Sequence, residues 1–163
     1  MAGERSTKTR ARVRAPVKPP RSKAGSLVSV GYQQRTPDEF VSILHENDVN
    51  LLLDVRELPL SRRKGFSKSA LGERLDAAGI EYIHVREAGN PYRKLASDIR
   101  RCLAMYRSYI KAKPSVVEMV LAHVAGRNAA VMCFERLHRE CHQSVLLDAM
   151  RDAGVLVPVV YVE

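Results

Sequence analysis

From Ser26 onward, short apolar runs alternate with amphipathic stretches, and this alternation sets the expected fold. SLVSVG reads as a strand ending at Gly31. TPDEFVSILHEN reads as a helix, with Thr36 as N-cap, Pro37 in the first turn and Glu39 closing a capping box. Phe40, Ile43 and Leu44 form its buried stripe. NLLLDV is apolar up to Asp54, as a strand buried on both faces should be. SKSALGERLDAAG places Leu71, Leu75 and Ala78 on one side of a second helix, with Gly79 as its stop. IEYIHV is a third strand. Leu95, Ile99, Leu103, Tyr106 and Ile110 then recur at helical spacing, and Pro114 separates them from the helix SVVEMVLAHVAG. AAVMC is a fourth strand, residues 139–152 are expected to form a helix stopped near Gly154, and VLVPVV closes the chain as a strand. Pro158 puts that last strand at an edge, because it has no N–H to give to a ladder.

Strands alternating with helices predict one α/β domain over residues 26–163, with a mostly parallel sheet of about five strands and helices on both faces. The order of the strands is left open. A length of 163 residues suits one domain. No apolar run approaches the ~18 residues of a membrane span, and no apolar segment follows the basic N-terminus as in a secretory signal. With three cysteines, an odd number, the expectation is reduced thiols in a cytoplasm.

Charge changes the picture at one end only. The net charge is +9, but residues 1–25 hold eight basic side chains against the single acid Glu4. That segment is therefore +7 and the remainder +2. It contains Pro16, Pro19 and Pro20 and almost no large apolar side chains, so it reads as a disordered basic tail. Such a tail suits nucleic-acid phosphates, though a solvated extension has the same composition.

Parallel α/β sheets bind ligands beyond the carboxyl ends of their strands, and the candidate chemistry gathers there. Tyr32 follows the first strand. Asp54 and Arg56 follow the second, ahead of Arg62 and Arg63 in a basic loop that suits an anion. His84 and Arg86 end the third strand, and Cys133 and Glu135 the fourth. Cys141 and His142 lie in the next segment, which is expected to be the first turn of a helix. As a metal site the cysteines read poorly, because Cys133 and Cys141 are eight positions apart, outside short zinc-hook spacing. Cys133 and Arg139 have the spacing of a cysteine-phosphatase loop, but FERLH is too bulky to wrap phosphate with its amides. What remains is a thiol at a strand end, near Arg and His, where its pKa would fall if it faced them.

Taken together these segments resemble the domain-of-unknown-function 488 family of bacterial and archaeal proteins. The resemblance runs from about Val30 to Val160. It rests on VGYQQRTPDEF, LLLDVRELPLSRRKGFSKSAL, GIEYIHVREAG and CFERLHRECHQS. It implies an α/β domain in which Asp54, Arg56, Cys133, Glu135, Cys141 and His142 share one site. It supplies no reaction and no cofactor. Gln143 stands where the family usually has Arg. More distantly, a strand ending DVRE and a later strand ending in Cys look like rhodanese domains, although the glycine-containing rhodanese loop is absent.

Three functions follow as expectations. The first is an enzyme or enzyme-like binder of an anionic small molecule or nucleotide, with Asp54, Cys133, Glu135, Cys141 and His142 as the reactive set. Tyr32, Arg56, Arg62, Arg63 and Arg86 would be its ligand contacts. The second is a nucleic-acid module using the tail and loop 62–68. The third is thiol chemistry at Cys133 and Cys141, either sulfur transfer or redox sensing.

Overall fold

The computed structural model describes residues 25–95, 98–154 and 158–163. Five strands, β1 (Leu27–Gly31), β2 (Leu51–Asp54), β3 (Glu81–His84), β4 (Ala129–Cys133) and β5 (Val159–Val162), form one all-parallel sheet in the order β3-β2-β4-β1-β5. Five α-helices connect them: α1 (Pro37–Glu46), α2 (Lys68–Ala77), α3 (Ile99–Ala112), α4 (Pro114–Val124) and α5 (Gln143–Asp152).

The period-two alternation of the strands divides the interior into two layers. Val28, Val30, Leu52, Ala130 and Met132 point to the face covered by α1 and α2, where Phe40, Leu44, Leu71 and Leu75 complete the layer. Leu51, Leu53, Ala129 and Val131 point to the other face, against Tyr106 and Ile110 of α3, Val120 of α4 and Leu146 of α5. Each fully buried Leu or Phe contributes about 1.5–3 kcal/mol by leaving water. At α1 the capping box is present: Thr36 Oγ1 accepts from the Glu39 amide, and the Glu39 carboxylate accepts from the Thr36 amide.

The topology selects one strand end above the others. From β1 to β2 to β3 the chain walks toward one edge with its helices on one face. It then returns to β4 and β5 with α3, α4 and α5 on the opposite face. A right-handed crossover requires that change of face when the direction reverses. Strands β1 and β2 therefore send their helices one way and β4, which lies between them, sends its helix the other. The crevice that opens between such diverging connections is the standard ligand position of open α/β sheets. Here it lies at Cys133.

Several expectations are corrected. Gly25, expected in the tail, is buried against the Arg127 backbone. The rest of the basic segment, residues 1–24, lies outside the described residues, as do Val155, Leu156 and Val157 of the expected last strand. Pro158 does precede an edge strand, β5. Leu95 is exposed and precedes α3, because Asp98 caps that helix by accepting from the Arg101 amide at 2.8 Å. The helix expected from residue 139 begins at Gln143 instead. A single 3-10 turn (His138–Glu140) comes first, and extended backbone at Cys141 (φ −101°, ψ 145°) separates the two.

Candidate functional site

Beyond the end of β4 the chain turns back over β1, and Gly31 makes the approach possible. A Cβ on Gly31 would stand 1.9 Å from the Glu135 carbonyl oxygen. The close passage lets the Tyr32 amide donate to the Cys133 carbonyl at 3.2 Å and the Gln33 amide to the Phe134 carbonyl at 2.9 Å. Ladder-like pairing thus continues past both strands and holds Cys133, Phe134 and Glu135 rigidly at the sheet edge.

Four side chains converge there. Cys133 Sγ lies 3.2 Å from Glu135 Oε2 and 3.5 Å from His142 Nδ1, and Cys141 Sγ lies 3.9 Å from the same nitrogen. One donor atom from each of the four lies within 4.8 Å of the other three. His142 Nε2 donates to the Val55 carbonyl at 2.9 Å, which turns Nδ1 toward the sulfurs. The edge of Tyr106 braces the imidazole, with ring centroids 5.0 Å apart. Arg93 reaches across to the other carboxylate oxygen, Glu135 Oε1, at 2.6 Å.

The electrostatics follow from this crowding. A hydrogen bond from the Cys141 thiol and the adjacent imidazole hold the Cys133 thiol well below its usual range. Cys141 moves the opposite way, pushed up by burial and by the neighbouring Cys133 sulfur. Burial, reinforced by Cys133 and opposed by Arg93, pushes the Glu135 carboxyl up to about 6. At His142 burial favours the neutral ring, but the Cys133 thiolate outweighs it and raises the pKa.

Three of the four side chains, Cys133, Glu135 and His142, line a cavity of about 1120 Å³. Of the residues marked out from the sequence, Tyr32, Arg56, Arg62 and Arg63 line it too. Among the described residues no carboxylate pairs with Arg62, Arg63 or the nearby Lys94, although Arg63 donates to the Arg35 carbonyl at 2.9 Å. Cys141 sits behind the cavity wall. Arg86 is exposed on a 3-10 turn (Arg86–Ala88) and is not part of the wall.

Asp54 is not at the open rim either. The alternation along β2 turns it toward the α2 face, where it is fully buried. It accepts from Arg56 Nε at 2.8 Å, from Arg56 Nη2 at 2.5 Å and from the Tyr82 hydroxyl at 2.6 Å. Arg56 also donates to the Tyr32 hydroxyl and the Phe66 carbonyl. Burial alone would lower the Arg56 pKa, but the forked bond to Asp54 raises it. The pair thus anchors Tyr32 and the loop before α2 from below the cavity.

Gln143 is buried and faces the sheet. Its amide donates to the Val30 and Val131 carbonyls and accepts from Ser29 Oγ at 2.7 Å. It ties β1 to β4 and does not reach the cavity. Arg139 is largely exposed and pairs loosely with Glu140 at 3.9 Å, so it does not face Cys133 as a phosphatase arginine would.

Two further residues take part in the site without a signal in the sequence. Arg93 lies in a loop, and nothing in its spacing ties it to Glu135. Cys102, next to Leu103 of the expected stripe, lines the cavity and accepts from Asn90 Nδ2 at 3.2 Å.

Fold and site together define an all-parallel α/β protein with a cavity at the carboxyl edge of its sheet, floored by a Cys–Glu–His cluster. The family described as "Domain of unknown function DUF488" matches residues 36–150, and the chain belongs to it. No curated protein and no solved structure matches the chain.

Proposed function

We propose that this protein is an enzyme that binds an anionic small molecule or nucleotide in the cavity beyond β4 and acts on it at the Cys133 cluster. One observation carries the reading. A single cavity has Arg62, Arg63 and Lys94, which pair with no carboxylate among the described residues, on its wall and the reactive set Cys133, Glu135 and His142 on its floor. Arginine offers forked donors to phosphate or carboxylate, so an anionic group is the natural occupant of the wall. A ligand held there extends its other end toward the floor. At about 1120 Å³ the cavity is slightly larger than the roughly 300–1,000 Å³ of most small-molecule sites, so it has room for a ligand of nucleotide size.

The test is a binding screen of nucleotides and phosphomonoesters by thermal shift, followed by calorimetry on the full chain. Binding of at least one class is expected, weakened tenfold or more in Arg62→Ala/Arg63→Ala. Because both arginines are exposed, that variant should keep its melting temperature. Binding that the double variant leaves intact counts against the reading.

A further inference from the structure

Dismissing a metal on spacing alone treats the chain as a line, and the fold does not. Cys133 ends β4, Cys141 follows the 3-10 turn and His142 caps α5, and the three return to the same point. We propose that Cys133 Sγ, Cys141 Sγ, His142 Nδ1 and Glu135 Oε2 form a binding site for a thiophilic divalent cation of the zinc type.

The geometry fits. Tetrahedral zinc with Zn–S near ~2.3 Å and Zn–N or Zn–O near ~2.0–2.1 Å places its ligand atoms roughly 3.3–3.8 Å from one another. The contacts here are 3.2, 3.5 and 3.9 Å, with all four donors inside 4.8 Å. The donor types fit as well. Two sulfurs and an imidazole suit zinc and other soft or borderline ions, and do not suit magnesium or calcium.

The surroundings orient the ligands. The Val55 carbonyl takes the Nε2 proton of His142 and so presents the Nδ1 lone pair inward. Arg93 fixes the carboxylate through its other oxygen. Formal charge then balances. Two thiolates and one carboxylate carry three negative charges, matched by a dication and the Arg93 guanidinium. Without the cation the same buried groups can be neutralised only by protons, which metal binding would release.

Glu135 is the least buried of the four and stands on the cavity side. It is therefore the ligand through which the ion would meet the cavity. The site stands whether or not the cavity takes an anion, since no part of it rests on Arg62 or Arg63.

The experiment is metal analysis of the reduced full chain, then titration of the chelator-treated protein with Co²⁺ alone. About one zinc per chain is expected. Co²⁺ should give a thiolate-to-metal charge-transfer band and intense four-coordinate visible bands that saturate at one equivalent. Cys133→Ser and Cys141→Ser should each abolish the charge-transfer band or weaken Co²⁺ binding severely, while Cys102→Ser keeps it. Glu135→Gln should weaken Co²⁺ by at least about 10- to 100-fold, because losing a ligand costs no less than losing an outer-shell partner. Should the serine variants fail to fold, the wild-type titration decides alone. Folded, reduced wild-type chain that shows no charge-transfer band overturns the proposal. So does a band whose intensity and Co²⁺ affinity are undiminished in both serine variants.

Discussion

The two carboxylates marked out from the sequence, Asp54 and Glu135, do different work, and replacing each by its amide separates them. Asp54 is fully buried and accepts four hydrogen bonds: two from the Arg56 side chain, one from the Arg56 amide at 3.1 Å and one from the Tyr82 hydroxyl. Asp54→Asn keeps the shape but leaves the Arg56 guanidinium, only 5% exposed, with an uncompensated charge. Breaking a buried pair from one side costs about 3–5 kcal/mol. Arg56 keeps the Phe66 carbonyl and the Tyr32 hydroxyl, so the low end of that range applies. For a domain of this size each kcal/mol lowers Tm by about 2–4 °C, giving a drop of about 6–12 °C. Glu135 pairs with a half-exposed Arg93, a bridge that contributes no more than about 1 kcal/mol. Glu135→Gln should therefore cost at most a few degrees, about 2–4 °C, while weakening ligand binding. The assay is urea unfolding followed by circular dichroism, with chelator present so that no bound cation contributes. An Asp54→Asn cost below about 1 kcal/mol would refute the anchoring role, as would a larger cost for Glu135→Gln than for Asp54→Asn.

Gly31→Ala should destabilise by about 1–3 kcal/mol or more in urea unfolding, because its Cβ meets the Glu135 carbonyl oxygen head-on. Gln143→Arg should cost about 1–3 kcal/mol in urea unfolding, since Ser29 loses an acceptor and a charge enters the sheet. Adding saturating Zn²⁺ to chelator-treated protein should raise stability by about 2.7 kcal/mol at a hundredfold excess over Kd, read as a rise in Tm. Deleting residues 1–24 should leave Tm unchanged, since that stretch has no apolar stripe. Any nucleic-acid affinity should fall steeply with salt and vanish on the same deletion, as a gel-shift series would show.

Much of the fold was legible because its signals are local. The capping box at Thr36, the Gly79 stop and Pro158 each act within a few residues, and each expectation matches the structure. The strand order was not legible, because β4 inserts between β1 and β2 through contacts more than 70 residues apart. The helix start after Cys133 was misplaced for a local reason, the extended backbone at Cys141, which periodicity does not register. For the site, the strand-end rule located Cys133 and Glu135 correctly at the carboxyl edge. It failed to say which way each side chain turns, and so set Asp54 beside them rather than beneath the opposite layer. Arg93 was hidden because an ion pair across two loops leaves no spacing in the sequence.

The decisive measurement is a crystal structure of the full chain with the tightest ligand from the nucleotide and phosphomonoester screen. The anionic group is expected against Arg62 and Arg63, with the rest of the molecule reaching toward Cys133 and Glu135. Ligand density on another face, with that cavity holding only solvent, would contradict that placement.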